Sequence, residues 1–351
     1  MTPPIRAVRV WGRLADPQGH RLTAPDEDEF TMAIAALEHL GDRSAPTLHG
    51  VGRLPEVFRW GLSGALGRSV ALCEHPPGAE GWKAALTEVA GAASTPSIVF
   101  GVDGPGHLLD SPGPWPGFGA AAFALDLRED PGLRERLLAW VPNGAPTIEA
   151  AQAIVDALAQ PPGGRPTLDL AGWAPSTAGP GGADPEPSRH LERWAQRAVS
   201  EGAYMPEARY REGIASHWRL AADRCPRCST VTFPVRGWCR GCGAADDLVR
   251  FELPRSGGRV EAVTTIGKGG QPTEFDPLVE FGGAYDVALV ELAPGLRATL
   301  MMTDSPPGTV RAGDRIGTVL RRLYPMDGQW RYGLKAVLPA AREAPGPAPD
   351  P

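Results

Sequence analysis

Two C-x-x-C motifs, Cys225-Pro-Arg-Cys228 and Cys239-Arg-Gly-Cys242, stand ten residues apart, and nothing else in the 351-residue chain restricts its fold as strongly. A C-x-x-C turn presents two thiolates to one ion. Two such turns complete a tetrahedral set of four, the closed coordination of structural zinc. Gly241 and Gly243 give the second turn its backbone freedom. The ten-residue spacer contains a segment, 230–238, long enough for a short hairpin. These features predict a zinc ribbon over 223–249, with one structural Zn²⁺ per chain on Cys225, Cys228, Cys239 and Cys242. Three other chemistries compete. A redox dithiol needs only one pair, and a catalytic zinc needs an open position that four thiolates do not leave. An iron–sulfur cluster fits this spacing less well.

The fifth cysteine, Cys73, stands alone, and five cysteines in a chain of this size do not make a disulfide framework. The formal net charge of −6 argues against a general nucleic-acid binder. A content of 42% apolar and 22% charged residues supports buried cores, and the length suits two or three domains. No apolar run is long enough to span a membrane, and residues 1–10 lack the apolar core of a signal peptide. The expectation is a cytoplasmic protein without a membrane partner.

Along the chain, 1–128 alternates strand-like and helix-like stretches, as in a layered α/β domain. Strands are expected at 5–10, 69–73, 97–102 and 119–127. Asp26 is the expected cap of a helix, with Glu29 three residues on as in a capping box, and Phe30, Ile34 and Leu37 on one face. A second helix is expected over 81–90, with Trp82, Leu86 and Val89 inward. Further helices are expected at 133–140 and 147–159, which extends this domain to 160. Pro/Gly-rich residues 161–187 read as an extended linker, and 188–222 as a helical segment, with helices at 189–200 and 207–222. After the ribbon, five strands at 258–266, 285–292, 297–303, 315–324 and 332–338 suit a five-stranded OB-fold barrel over 250–339. The segment 268–284, rich in Gly and Pro, is a long loop inside that barrel and a candidate lid or binding surface. The Pro/Ala-rich tail 340–351 reads as disordered.

Residues 204–339 resemble the zinc-ribbon/OB-fold family of acyl-CoA-associated proteins, whose ribbon is rubredoxin-like. The resemblance rests on Tyr210-Arg-Glu-Gly-Ile214, the four cysteines, Thr232-Phe-Pro-Val-Arg236, Gly258-Arg-Val260 and Tyr285-Asp-Val-Ala-Leu-Val-Glu-Leu292. It implies a partner enzyme, a thiolase-like or ketoacyl-synthase-like acyltransferase subunit, and a coenzyme A thioester as substrate of the complex. Residues 1–128 are similar to the first half of a thiolase-superfamily domain of the hydroxymethylglutaryl-CoA synthase kind. The carrying motifs are Asp26-Glu-Asp-Glu-Phe-Thr-Met-Ala33, Ser97-Ile-Val-Phe-Gly-Val-Asp103 and Pro116-Gly-Phe-Gly-Ala-Ala-Ala122. Lining up the helix at 81–86 puts no cysteine where that family holds its nucleophile, and the second half of the fold has no counterpart in the chain.

The multidomain reading is therefore a degenerate thiolase-like α/β half domain, a zinc ribbon and an OB-fold. Its expected function is that of a non-catalytic accessory subunit of an acyltransferase. One alternative is a stand-alone acyltransferase with Cys73 as nucleophile and His75 as its base. The other is an OB-fold protein that binds single-stranded nucleic acid through Arg321, Arg322, Tyr324 and Trp330. Residues 205–340 carry 18 Lys/Arg against 15 Asp/Glu, a weak field for that task. Histidines 20, 39, 49, 107, 190 and 217 are expected in loops or on helix faces, without a metal-ligand pair among them.

Overall fold

The computed structural model describes residues 5–11, 14–15, 21–22, 26–40, 45–52, 54–91, 97–103 and 119–125, seven positions between 138 and 169, and 206–276, 279, 283–326 and 329–339. The chain forms two compact units, Met1–Arg197 and Ala198–Pro351.

In the first unit, β1 (Ile5–Trp11), β2 (Leu14–Ala15) and β3 (Arg21–Leu22) precede α1 (Glu29–Leu40). Then come β4 (Thr47–Val51), α2 (Val57–Leu66), β5 (Ala71–His75), α3 (Ala79–Gly91), β6 (Ser97–Asp103), β7 (Gly119–Leu125) and β8 (Leu168–Asp169). Six of these strands make one sheet in the order β5-β4-β6-β7-β1-β8. β4 runs parallel to β5 and β6, whereas β7 is antiparallel to β6 and β1. Helices lie on both faces. Phe58 of α2 stacks on Phe100 of β6 and meets Phe30 of α1 edge-on, while α3 crosses β4, β5 and β6 from the other side. Phe30, Ile34 and Leu37 are buried, as are Trp82, Leu86 and Val89, and these faces form the core.

Several expectations shift. The cap of α1 is Asp28 and not Asp26: Thr31 N–H donates to Asp28 Oδ1 at 2.9 Å, and Asp28 N–H donates back to Thr31 Oγ1 at 2.9 Å. This is the reciprocal pattern of a capping box with Thr in the Glu position. The strand expected at 69–73 lies two residues later and ends at His75. β8 falls inside the expected linker and pairs parallel with β1. The rest of that linker, most of 129–160, the helix at 189–200 and the tail lie outside the described residues.

The second unit begins with α4 (Glu207–Arg219) and β9 (Ala221–Arg224). Leu220 adopts a left-handed φ of 59°, which ends the helix three residues before the expected 222 and turns the chain into a strand. β10 (Val231–Thr232) and β11 (Val249–Glu252) flank β9 in an antiparallel sheet, so the expected hairpin inside 230–238 is replaced by pairing with β9. A closed barrel follows: β12 (Ser256–Ile266), β13 (Tyr285–Ala293), β14 (Leu296–Thr303), β15 (Arg315–Met326) and β16 (Gln329–Val337), in ring order β12-β13-β14-β16-β15. All five expected strands are present. Val260, Ala288, Val290, Ile316, Leu320 and Ala336 are buried within it. Trp218 and Tyr210 of α4 pin the helix to β16 through the backbone of Tyr332.

Candidate metal centre

The ribbon is built from two turns with the same backbone pattern. Cys225 N–H donates to Thr230 O at 3.0 Å and Ser229 N–H to Cys225 O at 2.9 Å. Cys239 N–H donates to Ala244 O at 2.7 Å and Gly243 N–H to Cys239 O at 2.9 Å. The fifth residue of each turn, Ser229 or Gly243, takes a left-handed φ, 59° and 75° respectively. The turns approach closely at Gly241, where a Cβ would stand 2.5 Å from Thr230 Oγ1. Any larger residue there would force the knuckles apart.

This packing brings all four sulfurs within 4.8 Å of one another. Cys225 Sγ lies 3.6 Å from Cys242 Sγ, and Cys228 Sγ 3.5 Å from Cys239 Sγ. Four thiolates at about 2.3 Å from a tetrahedral centre stand roughly 3.8 Å apart, so the donor set fits one zinc ion. Cys225 and Cys239 are buried, and Cys228 and Cys242 are exposed. The Thr230 hydroxyl and backbone N–H, together with Cys239, hold the Cys228 thiol down at about 6. At Cys242 the Ala244 backbone favours the thiolate, yet the neighbouring sulfurs outweigh it and push this thiol up to about 11. A central cation turns that mutual repulsion into attraction and deprotonates all four.

Cys73 sits on β5, half-buried, opposite His49 of β4. Burial first, and then the Glu88 carboxylate, push its thiol up. A nucleophilic cysteine needs the opposite shift. His75, two residues on, is buried beside His49, and burial lowers the proton affinity of both imidazoles. His49 is thus a strand residue with a histidine neighbour, contrary to the expectation of a loop or helix-face position. Residue patterning missed this pair because its two members are 26 positions apart and meet only through the parallel pairing of β4 with β5.

The two arginines of the expected base-stacking patch are buried, and its aromatic rings are partly exposed. Arg321 and Arg322 are 4% and 2% exposed. Arg322 lies over the Trp330 ring at 4.4 Å, and Tyr324 packs against Phe275 at 5.3 Å. Phe275 also faces Tyr285 and belongs to a 3₁₀ turn, Thr273–Phe275, so this part of the 268–284 loop is anchored on the barrel.

Ribbon, barrel and sulfur geometry define a zinc-ribbon protein of the barrel-linked class. A family profile described as “ChsH2, rubredoxin-like zinc ribbon domain” matches residues 215–248. A “DUF35 domain-containing scaffold protein” of Methanothermobacter thermautotrophicus is 33% identical over 126 residues, 35% of this chain and 88% of that protein. A protein of the same description from Methanocaldococcus jannaschii is 31% identical over 124 residues, 35% of this chain and 83% of that protein. The chain belongs to the DUF35 domain-containing proteins. Among solved structures, the “Ltp2-ChsH2(DUF35) aldolase” aligns at 25% identity and a TM-score of 0.27, over 34% of this chain and 84% of that one.

Proposed function

We propose that this chain is a non-catalytic accessory subunit of an acyl-CoA acyltransferase complex whose catalytic partner is thiolase-like or ketoacyl-synthase-like. The ribbon holds one structural zinc and, with the barrel, helps to position the acyl-CoA thioester. The N-terminal unit is a degenerate thiolase-like half domain that docks on the partner. The observation that carries this reading is the match to two proteins described as scaffolds. Two features of the chain support it. Four thiolates leave zinc no open position for substrate, and burial and the Glu88 carboxylate favour the protonated form of Cys73. Among the described residues, the most exposed large apolar side chains are Trp238 at 45%, Val249 at 56% and Leu289 at 37%, all in the ribbon and barrel. Among the described residues, these exposed apolar side chains on the ribbon and barrel offer a partner a contact surface.

The test is affinity capture of the tagged chain from its native host, with an acyl-CoA assay on the complex and on each component. Retention of a thiolase-like enzyme, with turnover only in its presence, is expected. Turnover by the purified chain alone, or retention of no enzyme of this class, overturns the reading.

A further inference from the structure

One cluster of ligating side chains in the N-terminal unit plays no part in the function proposed above. His49 on β4 and His75 on β5 project from the same face of the sheet, because His49 stands opposite Cys73 and Val51 opposite His75 in a parallel pair. Both imidazoles are buried. His49 Nδ1 lies 3.2 Å from His75 Nε2. Helix α3 packs on this face and brings Glu88, whose Oε2 is 3.7 Å from His75 Nε2. One donor atom from each of the three residues lies within 4.8 Å of the other two. Glu88 is 54% exposed, so the cluster opens to solvent on the helix side.

A hydrogen bond between neutral imidazoles accounts for the 3.2 Å contact alone. The Glu88 carboxylate beside them also accepts from the Cys73 thiol, and the approach of three donor atoms to one point is what a cation exploits. Donors at 2.0–2.1 Å from a tetrahedral ion stand about 3.3–3.4 Å apart, a separation bracketed by the two contacts at 3.2 and 3.7 Å. We infer that His49, His75 and Glu88 form a second divalent-cation site, which clips α3 to the edge strand β5 and its neighbour β4. Two imidazole nitrogens and one carboxylate oxygen suit zinc and its transition-metal neighbours, whereas magnesium and calcium select oxygen donors. The rings meet edge to edge, with centroids 5.5 Å apart and planes inclined by 22°. Each ring therefore turns by about 35° to bring both lone pairs onto one tetrahedral centre. The fourth position faces solvent beside Glu88 and takes water.

The experiment counts zinc on the full chain after incubation with Zn²⁺ and removal of loose metal by gel filtration. Two ions per chain are expected, one in the ribbon and one here; a single ion overturns the proposal. His75→Gln keeps a hydrogen-bonding partner for His49 but removes an imidazole donor. It is expected to retain one zinc, while Co²⁺ exchanged into its ribbon still gives thiolate charge-transfer absorption. Two retained ions in that variant overturn the assignment. Glu88→Gln changes an exposed side chain and tests the same site if the buried variant fails to fold. Its Zn²⁺ affinity at this site is expected to fall by about tenfold or more, and an unchanged affinity overturns the role of Glu88.

Discussion

At Ser229 the ribbon carries a conformation that its twin turn gives to glycine. Ser229 has a φ of 59° and Gly243 a φ of 75°, at the same place in the same hydrogen-bonded turn. A non-glycine residue there costs of order 1 kcal/mol. Ser229→Gly is therefore expected to raise stability, by up to about 1 kcal/mol after the extra freedom glycine brings to the unfolded chain. Urea unfolding of the zinc-loaded chain checks it, and a loss of stability contradicts the account. The cysteines respond differently, because the metal's binding energy is folding energy. Cys239→Ser, at a buried position, is expected to release the ribbon zinc and melt the ribbon. Metal analysis and thermal unfolding read both effects, and full zinc retention refutes the four-cysteine assignment. At this scale the sequence was most legible where ligands are local: two C-x-x-C pairs announce themselves by spacing. His49 and His75 carry no such mark, since only the tertiary pairing of β4 with β5 unites them.

Elements were legible in proportion to how fully their own residues specify them. The barrel strands alternate in burial, as in β13, where Asp286, Ala288, Val290 and Leu292 are buried between more exposed neighbours, and Ala293-Pro294-Gly295 marks the turn after it. Strand β4 and helix α2 went unread because glycines thin their signal. Gly50 interrupts a strand where a Cβ would lie 2.6 Å from Leu54 Cδ1 and 2.8 Å from Phe100 Cζ. The glycine that weakens β propensity thus sits where a Cβ would displace the Leu54 and Phe100 side chains. The end of α4 was misjudged for the converse reason: Leu220 holds a left-handed cap with no glycine to signal it. Besides the Glu207–Arg331 ion pair, that helix is tied to the barrel at the backbone of Tyr332. Tyr332 N–H donates to Tyr210 Oη at 2.7 Å, Tyr210 Oη donates to Tyr332 O at 3.2 Å, and Trp218 Nε1 donates to the same oxygen at 2.9 Å. Tyr210→Phe keeps the ring but removes the first two bonds, and the expected loss is about 1–2 kcal/mol in denaturant unfolding of the C-terminal unit. A loss within error of zero would mean that the Tyr210 hydroxyl contributes nothing to holding α4 in place.

Across the whole molecule, chemistry and architecture are distributed unevenly. The C-terminal unit holds the four-cysteine site and, among the described residues, the most exposed large apolar side chains. The N-terminal unit is an α/β layer with one isolated cysteine. Among the described residues no helix is long and apolar enough to cross a membrane. Claisen-type acyl transfer requires a thiolate, a base that activates it and donors for the developing oxyanion. Cys73 meets the first requirement poorly, because burial and the Glu88 carboxylate both favour its protonated form. The base proposed for it from sequence, His75, is engaged with His49 at 3.2 Å. In the accessory role proposed above the partner brings the nucleophile, and the reconstituted complex should tolerate loss of this thiol. Cys73→Ala is expected to leave turnover by the complex within a few-fold of wild type, whereas removal of an essential nucleophile costs several orders of magnitude. The decisive measurement is single-turnover acyl transfer by complexes of equal composition, with the variant's fold verified by its retained zinc. A loss of about a thousandfold or more in an intact complex would place the nucleophile on this chain and end the accessory reading.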